Sequence, residues 1–244
     1  MELEIALIVV GGLIAVVGLI SLIITGWLAN RYQVYNKLEN SANMSGEEIA
    51  RKILDDNDLE HIKVKVTGSL LFGNSYSHYF KKVRIRRFTR NEKSITSLGI
   101  GAQKAALAIL DKEGDPDMKK RIHLYPLITF GPFALVPLIT VCALLDYFIF
   151  SQSGLLVYIF GGLGLLFYVL AVVLTVTTLK TERKAQDKAY EILEQSKLIN
   201  EEELAALKDL FHLYNIQYVN DIILAALELI YTVIRIAIDL KLDN

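Results

Sequence analysis

The side chains best suited to hold a transition metal or move protons near neutral pH are four histidines, one cysteine and the carboxylates. The histidines are His61, His78, His123 and His212, and no two lie four apart. No helix can therefore turn two imidazoles onto one face, as a two-histidine zinc helix must. Cys142, alone in an apolar run, excludes an intrachain disulfide and a cysteine-based zinc site. His78, Glu182 and a tail carboxylate such as Asp221 or Glu228 are too scattered for spacing alone to assemble a metal site. Neither a Gly-x-Ser-x-Gly nucleophile turn nor a glycine-rich phosphate loop is present. The densest cationic group is Lys81, Lys82, Arg84, Arg86, Arg87 and Arg90. Such a group neutralises phosphates in nucleic-acid binders, but beside a membrane it matches anionic lipid headgroups better, and nothing else in the chain points to nucleic acid.

The elements that must position these groups are membrane elements. Hydrophobic residues make up 53% of the 244, more than an average soluble domain carries. Ile5 to Leu28 is an uncharged run of about 24 residues, longer than the ~20 needed to cross hydrocarbon. The acidic start Met1-Glu2-Leu3-Glu4 argues against a cleaved signal peptide, and Trp27, Arg31, Tyr32 and Tyr35 follow as interfacial anchors. From Arg31 to Arg121 there are 18 Lys/Arg against 12 Asp/Glu, which places this segment on the cytoplasmic side. Within it, Ser45-x-x-Glu48 is a capping box opening a helix. Ile62 to Val66 alternates as a half-buried strand, and Val83 to Phe88 does so less regularly. Gly68 to Phe80 reads as turn formers with four aromatics. Ser97 to Gly114 reads as an Ala-rich helix, with Gly99 and Gly101 as small residues at its start.

Leu124 to Leu145 is a second spanning run, expected to be kinked or broken by Pro126, Pro132 and Pro137. Ser151-Gln152-Ser153 is an uncharged connector to a third run, Gly154 to Leu179. Lys180, Arg183, Lys184 and Lys188 return the chain to the cytoplasm. Asn200-x-x-Glu203 opens another helix. In the last apolar segment, Ile222 to Ile238, Asp221, Glu228 and Arg235 recur every seven residues and share a face, with Asp239 placed to pair with Arg235. Ionisable groups within a span usually turn toward a protein interior. This segment is either a fourth span or an interfacial helix.

In this order the parts resemble the YugP-like membrane-bound zinc metallopeptidases over nearly the whole chain. The match is carried by Met44-Ser45-Gly46-Glu47-Glu48-Ile49-Ala50-Arg51-Lys52-Ile53-Leu54, Val83-Arg84-Ile85, Ala108-Ile109-Leu110-Asp111-Lys112-Glu113-Gly114 and Thr178-Leu179-Lys180-Thr181-Glu182. The resemblance implies a His-Glu-x-x-His helix just before the Asp-Lys-Glu-Gly run, with two zinc ligands and a general base. Those three positions fall on Gln103, Lys104 and Leu107. Leu107 has no donor atom, Gln103 is a poor ligand, and Lys104 is cationic where an anionic base belongs. An upstream Asp-His-Tyr-Asp-Pro pattern reads Asn74-Ser75-Tyr76-Ser77-His78 and keeps only the tyrosine. The family's third ligand lands on Glu182, which remains; it either pairs with Lys104 or is an exposed glutamate beside Gln186.

The sequence thus predicts a mostly α integral membrane protein, with three or four transmembrane helices and a small cytoplasmic α+β element of metallopeptidase type. Residues 1–30 form the anchor and 31–121 a cytoplasmic segment carrying the degenerate helix 97–113. Residues 122–179 form a two-span hairpin, and 180–244 cytoplasmic helices with an amphipathic membrane helix. The expected function is that of a catalytically inactive homologue in a bacterial cell membrane. It would need no cofactor and would bind membrane lipid and another membrane protein, an active relative or a second copy, but no nucleic acid. Two alternatives stand beside it: an active zinc peptidase with an unusual ligand set, and a small transport or lipid-contacting bundle suggested by the prolines and by the face of Asp221, Glu228 and Arg235.

Overall fold

The computed structural model describes residues 2–67, 73–148 and 155–242. The expected connector Ser151-Gln152-Ser153 and the side chain of Asp239 lie outside the described residues. The elements are α1 (Glu2–Asn36), α2 (Gly46–Asp55), β1 (Lys63–Thr67), β2 (Ser75–Ser77), β3 (Lys82–Arg86), α3 (Arg87–Asn91), α4 (Ile95–Glu113), α5 (Pro116–Phe148), α6 (Leu155–Ser196) and α7 (Glu201–Leu242). They fall into two compact units, one of residues 1–17, 120–178 and 222–244, the other of residues 18–119 and 179–221.

The first unit is made of apolar helical segments. Among the described residues, two helices are long and apolar enough to cross a membrane, Leu3–Asn36 and Ile159–Ser196. Neither apolar window is buried, whereas the core helix of a water-soluble protein would be covered. Ile8, Val9 and Val16 are among the side chains left bare. The expected second span lies in α5, which runs as one continuous helix of 33 residues through Pro126, Pro132 and Pro137 instead of breaking there. Each proline removes one donor from the ladder, and the residues between them keep theirs. The two segments expected on either side of residue 220 likewise form one helix of 42 residues.

The second unit is built on α4, in which every residue from Ile95 to Leu110 is buried. Ser94 caps it by accepting from the Ser97 N–H at 3.1 Å. At the other end Gly114, at φ 72°, lets the Asp115 N–H reach the Leu110 carbonyl at 3.0 Å, a Schellman closure. Close packing explains the two early glycines. A Cβ on Gly101 would sit 2.2 Å from the Gly46 carbonyl oxygen, and one on Gly99 2.1 Å from Leu207 Cδ1. The α2 helix therefore crosses α4 at near backbone contact, oriented by the Ser45–Glu48 box: Ser45 N–H to Glu48 Oε2 at 2.7 Å, Glu48 N–H to Ser45 Oγ at 3.3 Å.

The sheet has the order β1-β3-β2, with β1 parallel and β2 antiparallel to β3. Val83, Ile85 and Tyr76 are buried on one face. Strand β2 lies where the sequence reads only as turn, because Ser-Tyr-Ser offers a single apolar side chain and so no alternation to detect.

Tertiary carboxylates tie the unit together. Glu203 caps α7 reciprocally with Asn200 and also accepts from the Ser41 N–H at 2.6 Å. Tyr35 donates to Asp209 at 2.6 Å. Asp115 caps α5 through the N–H groups of Asp117 and Met118, both at 2.9 Å, and meets Lys184 Nζ at 2.5 Å. Burial alone would raise the Asp115 pKa, but Lys184 and the two backbone donors outweigh it and hold the carboxyl below its ordinary value. A depressed folded value means that its stabilisation is complete above the ordinary aspartate range near ~4 and is lost as pH falls through the folded value. Unfolding followed at pH 7 and pH 3 should therefore show wild type losing stability on acidification, and Asp115→Asn starting lower at pH 7 with a shallower further loss.

Candidate functional site

The third turn of α4 points Gln103 and Lys104 toward α6. Glu182 Oε2 accepts from Lys104 Nζ at 2.7 Å and from Gln103 Nε2 at 2.9 Å. Lys104 is 7% exposed and Glu182 3%, so the ion pair is shielded from water and Glu182 is not the solvent-facing residue of the alternative reading. Gln186, one turn further along α6, accepts from Asn215 Nδ2 at 2.8 Å. Leu107 is fully buried and apolar. Gln103 and Lys104 thus contribute an amide donor and an ammonium to one carboxylate.

Zinc does not fit this donor set. The carboxylate oxygen that would bind it already takes two donors, Leu107 has nothing to offer, and an ammonium 2.7 Å from that oxygen would face the dication directly. Among the described residues no three His, Cys, Asp or Glu side chains gather as a metal-binding group.

A second polar cluster sits at the last turn of α4, and no motif in the sequence marks it. Asp111 Oδ2 accepts from Tyr76 Oη at 2.6 Å and lies 2.6 Å from His78 Nδ1, with Lys81 Nζ at 3.8 Å. With its proton on Nδ1, His78 donates to Asp111. Burial first, and then the Asp111 carboxylate, push the Tyr76 phenol far above its ordinary pKa, so the phenol keeps its proton and donates. Asp111 was in view within the Asp-Lys-Glu-Gly run, but 33 and 35 residues separate it from its partners, and no local pattern signals that distance.

The tail residues are not drawn into one cluster. Asp221 accepts from Gln217 Nε2 at 2.8 Å, one turn away on the same helix. Glu228 accepts from Tyr168 Oη at 3.1 Å. Glu228 and Arg235 are exposed, and Asp221 is half-buried.

Comparison with known proteins agrees with the order of the parts. A family model described as "Putative neutral zinc metallopeptidase" matches residues 10–237. The chain is 25% identical over 202 residues to the "Putative membrane protease YugP" of Bacillus subtilis (strain 168), covering 82% of this chain and 84% of that protein. No solved structure matches the chain significantly.

Proposed function

The chain belongs to the neutral zinc metallopeptidase family whose model it matches, and from that premise we propose that it is a catalytically silent member whose peptidase scaffold binds without cleaving. One observation carries this reading: Lys104 Nζ lies 2.7 Å from Glu182 Oε2, so the buried carboxylate is neutralised by a side chain of the protein itself. A general base is missing for the same reason, since the position expected to supply it carries the cation. The scaffold around it, with α4 buried from Ile95 to Leu110, offers a rigid frame for a partner: another membrane protein, an active relative or a second copy.

The proposal includes the topology. Helices α1, α5 and α6 cross the membrane of a bacterial cell, residues 222–238 of α7 form a fourth span or lie at the interface, and the unit built on α4 faces the cytoplasm. The domain limits are those expected from sequence, at residues 30, 121 and 179. Labelling of introduced cysteines from each side of sealed vesicles checks this arrangement; modification of residues in 31–121 from the outside would reverse it.

Elemental analysis of the purified protein, paired with a peptide-hydrolysis assay, tests the functional reading. The expected result is substoichiometric zinc and no turnover that a Lys104→Ala variant abolishes. Zinc at one per chain together with hydrolysis sensitive to Glu182→Ala would overturn it and establish an active peptidase with a different ligand set.

A further inference from the structure

The outer face of the sheet is the most strongly charged patch formed by described elements. Val83, Ile85 and Tyr76 turn inward, so the alternation of a strand turns Lys82, Arg84 and Arg86 outward from β3. Parallel register then sets Lys63 beside Lys82, Lys65 beside Arg84 and Thr67 beside Arg86. Five cations form two rows about 4.8 Å apart across the strands, a spacing fixed by the backbone ladder. On the other flank of β3, Ser77 registers with Lys82 and Ser75 with Arg84. Neither aspartate nor glutamate occurs within β1, β2 or β3.

Next to these rows stand two exposed aromatic side chains. Tyr79 is 58% and Phe80 67% exposed. Lys82 Nζ lies 4.6 Å from the centre of the Phe80 ring, and the Arg84 guanidinium 5.7 Å from it. Cations ranged around an exposed aromatic ring match the chemistry of a bilayer interface, where anionic headgroups overlie the first methylenes of the acyl chains. The chain that bears this face also carries helices able to cross a membrane, so such headgroups are held within reach at high effective concentration.

We propose that the outer sheet face, through Lys63, Lys65, Lys82, Arg84 and Arg86 with Phe80 as a wedge, docks on anionic phospholipid headgroups of the membrane that anchors the chain. Phosphate oxygens accept from the ammonium and guanidinium groups, Ser77 adds a hydroxyl, and Phe80 enters the glycerol level. This surface stands independently of the Lys104 site: a chain that proved to be an active peptidase would still carry it.

The test uses the full-length protein in lipid nanodiscs, with Phe80→Cys labelled by an environment-sensitive fluorophore; Cys142 is buried, and Cys142→Ala serves as the background. In discs containing phosphatidylglycerol the label is expected to shift to the blue and to be quenched by lipids brominated near the headgroup. In pure phosphatidylcholine discs it stays in water. Salt at 0.5 M should reverse the effect in the anionic discs, because exposed charges are screened at that strength. Lys63→Gln/Lys65→Gln/Lys82→Gln should weaken docking by ~100-fold, from about one kcal/mol per surface cation. Equal signals in both lipids would overturn the proposal, whatever the variant does. Protection in phosphatidylcholine discs produced by an RNA oligonucleotide, or by inorganic phosphate alone, would also overturn it and assign the face to a different anion.

Discussion

Replacing Lys104 with methionine is expected to destabilise the protein by about 3–5 kcal/mol, because it leaves the Glu182 carboxylate charged and buried without its cation. Thermal unfolding in detergent reads the loss directly. Removing the carboxylate as well, in Lys104→Met/Glu182→Leu, should restore most of it, since a buried ion pair is worth little against hydrocarbon of similar volume. Recovery will stop short of wild type, because the Gln103 amide loses the oxygen it donates to, at ~1–3 kcal/mol. Lys104→Glu should be worse than methionine, with two carboxylates facing each other out of water. A Lys104→Met protein that unfolds with the wild type would refute the idea that this pair holds the centre of the fold together.

The second large effect falls on the glycines of α4. Gly101→Ala is expected to cost roughly 3 kcal/mol or more, the upper end for overpacking, since the added Cβ would lie 2.2 Å from the Gly46 carbonyl oxygen. Backbone cannot rotate away, so α2 and α4 must separate. Gly99→Ala meets Leu207 Cδ1, the end of a flexible side chain, and should cost about 1–2 kcal/mol. The two variants differ most in rescue. Adding Leu207→Val should recover part of the Gly99→Ala loss, while no single neighbour can relieve Gly101→Ala. Equal losses for both alanines would mean that the helices slide more freely than their contact implies.

What the sequence disclosed and what it hid follow one physical division. Ser45 with Glu48 and Asn200 with Glu203 were legible as caps because donor and acceptor lie within one helical turn. The Ala-rich character and Gly114 exit of α4 were legible for the same reason. Helix continuity was not: the polar residues near 220 read as a boundary, whereas the backbone carries α7 through them as one helix. Strand β2 and the contacts of Asp111 were hidden as well, since both depend on partners brought from elsewhere in the chain. Gly99 and Gly101 were visible as small residues, but the reason for their size, the approach of Leu207 and Gly46, is tertiary. At the Lys104 site, an ion pair of Lys104 with Glu182 was legible as one of two readings of that glutamate. That Gln103 joins Lys104 on the same oxygen of Glu182 was not.

The unit built on α4 is interrupted in sequence: residues 18–119 belong to it, 120–178 do not, and 179–221 complete it. A ribosome therefore delivers Lys104 long before Glu182, and Ser41 long before Glu203, with the whole of α5 made in between. Until translation has passed Glu182, α4 lacks its counter-charge, and until it has passed Leu207 it lacks the side chain that lies against Gly99. The unit therefore cannot close around α4 until residues 179–221 have been made, so its stability depends on a stretch of chain separated from α4 by the whole of α5.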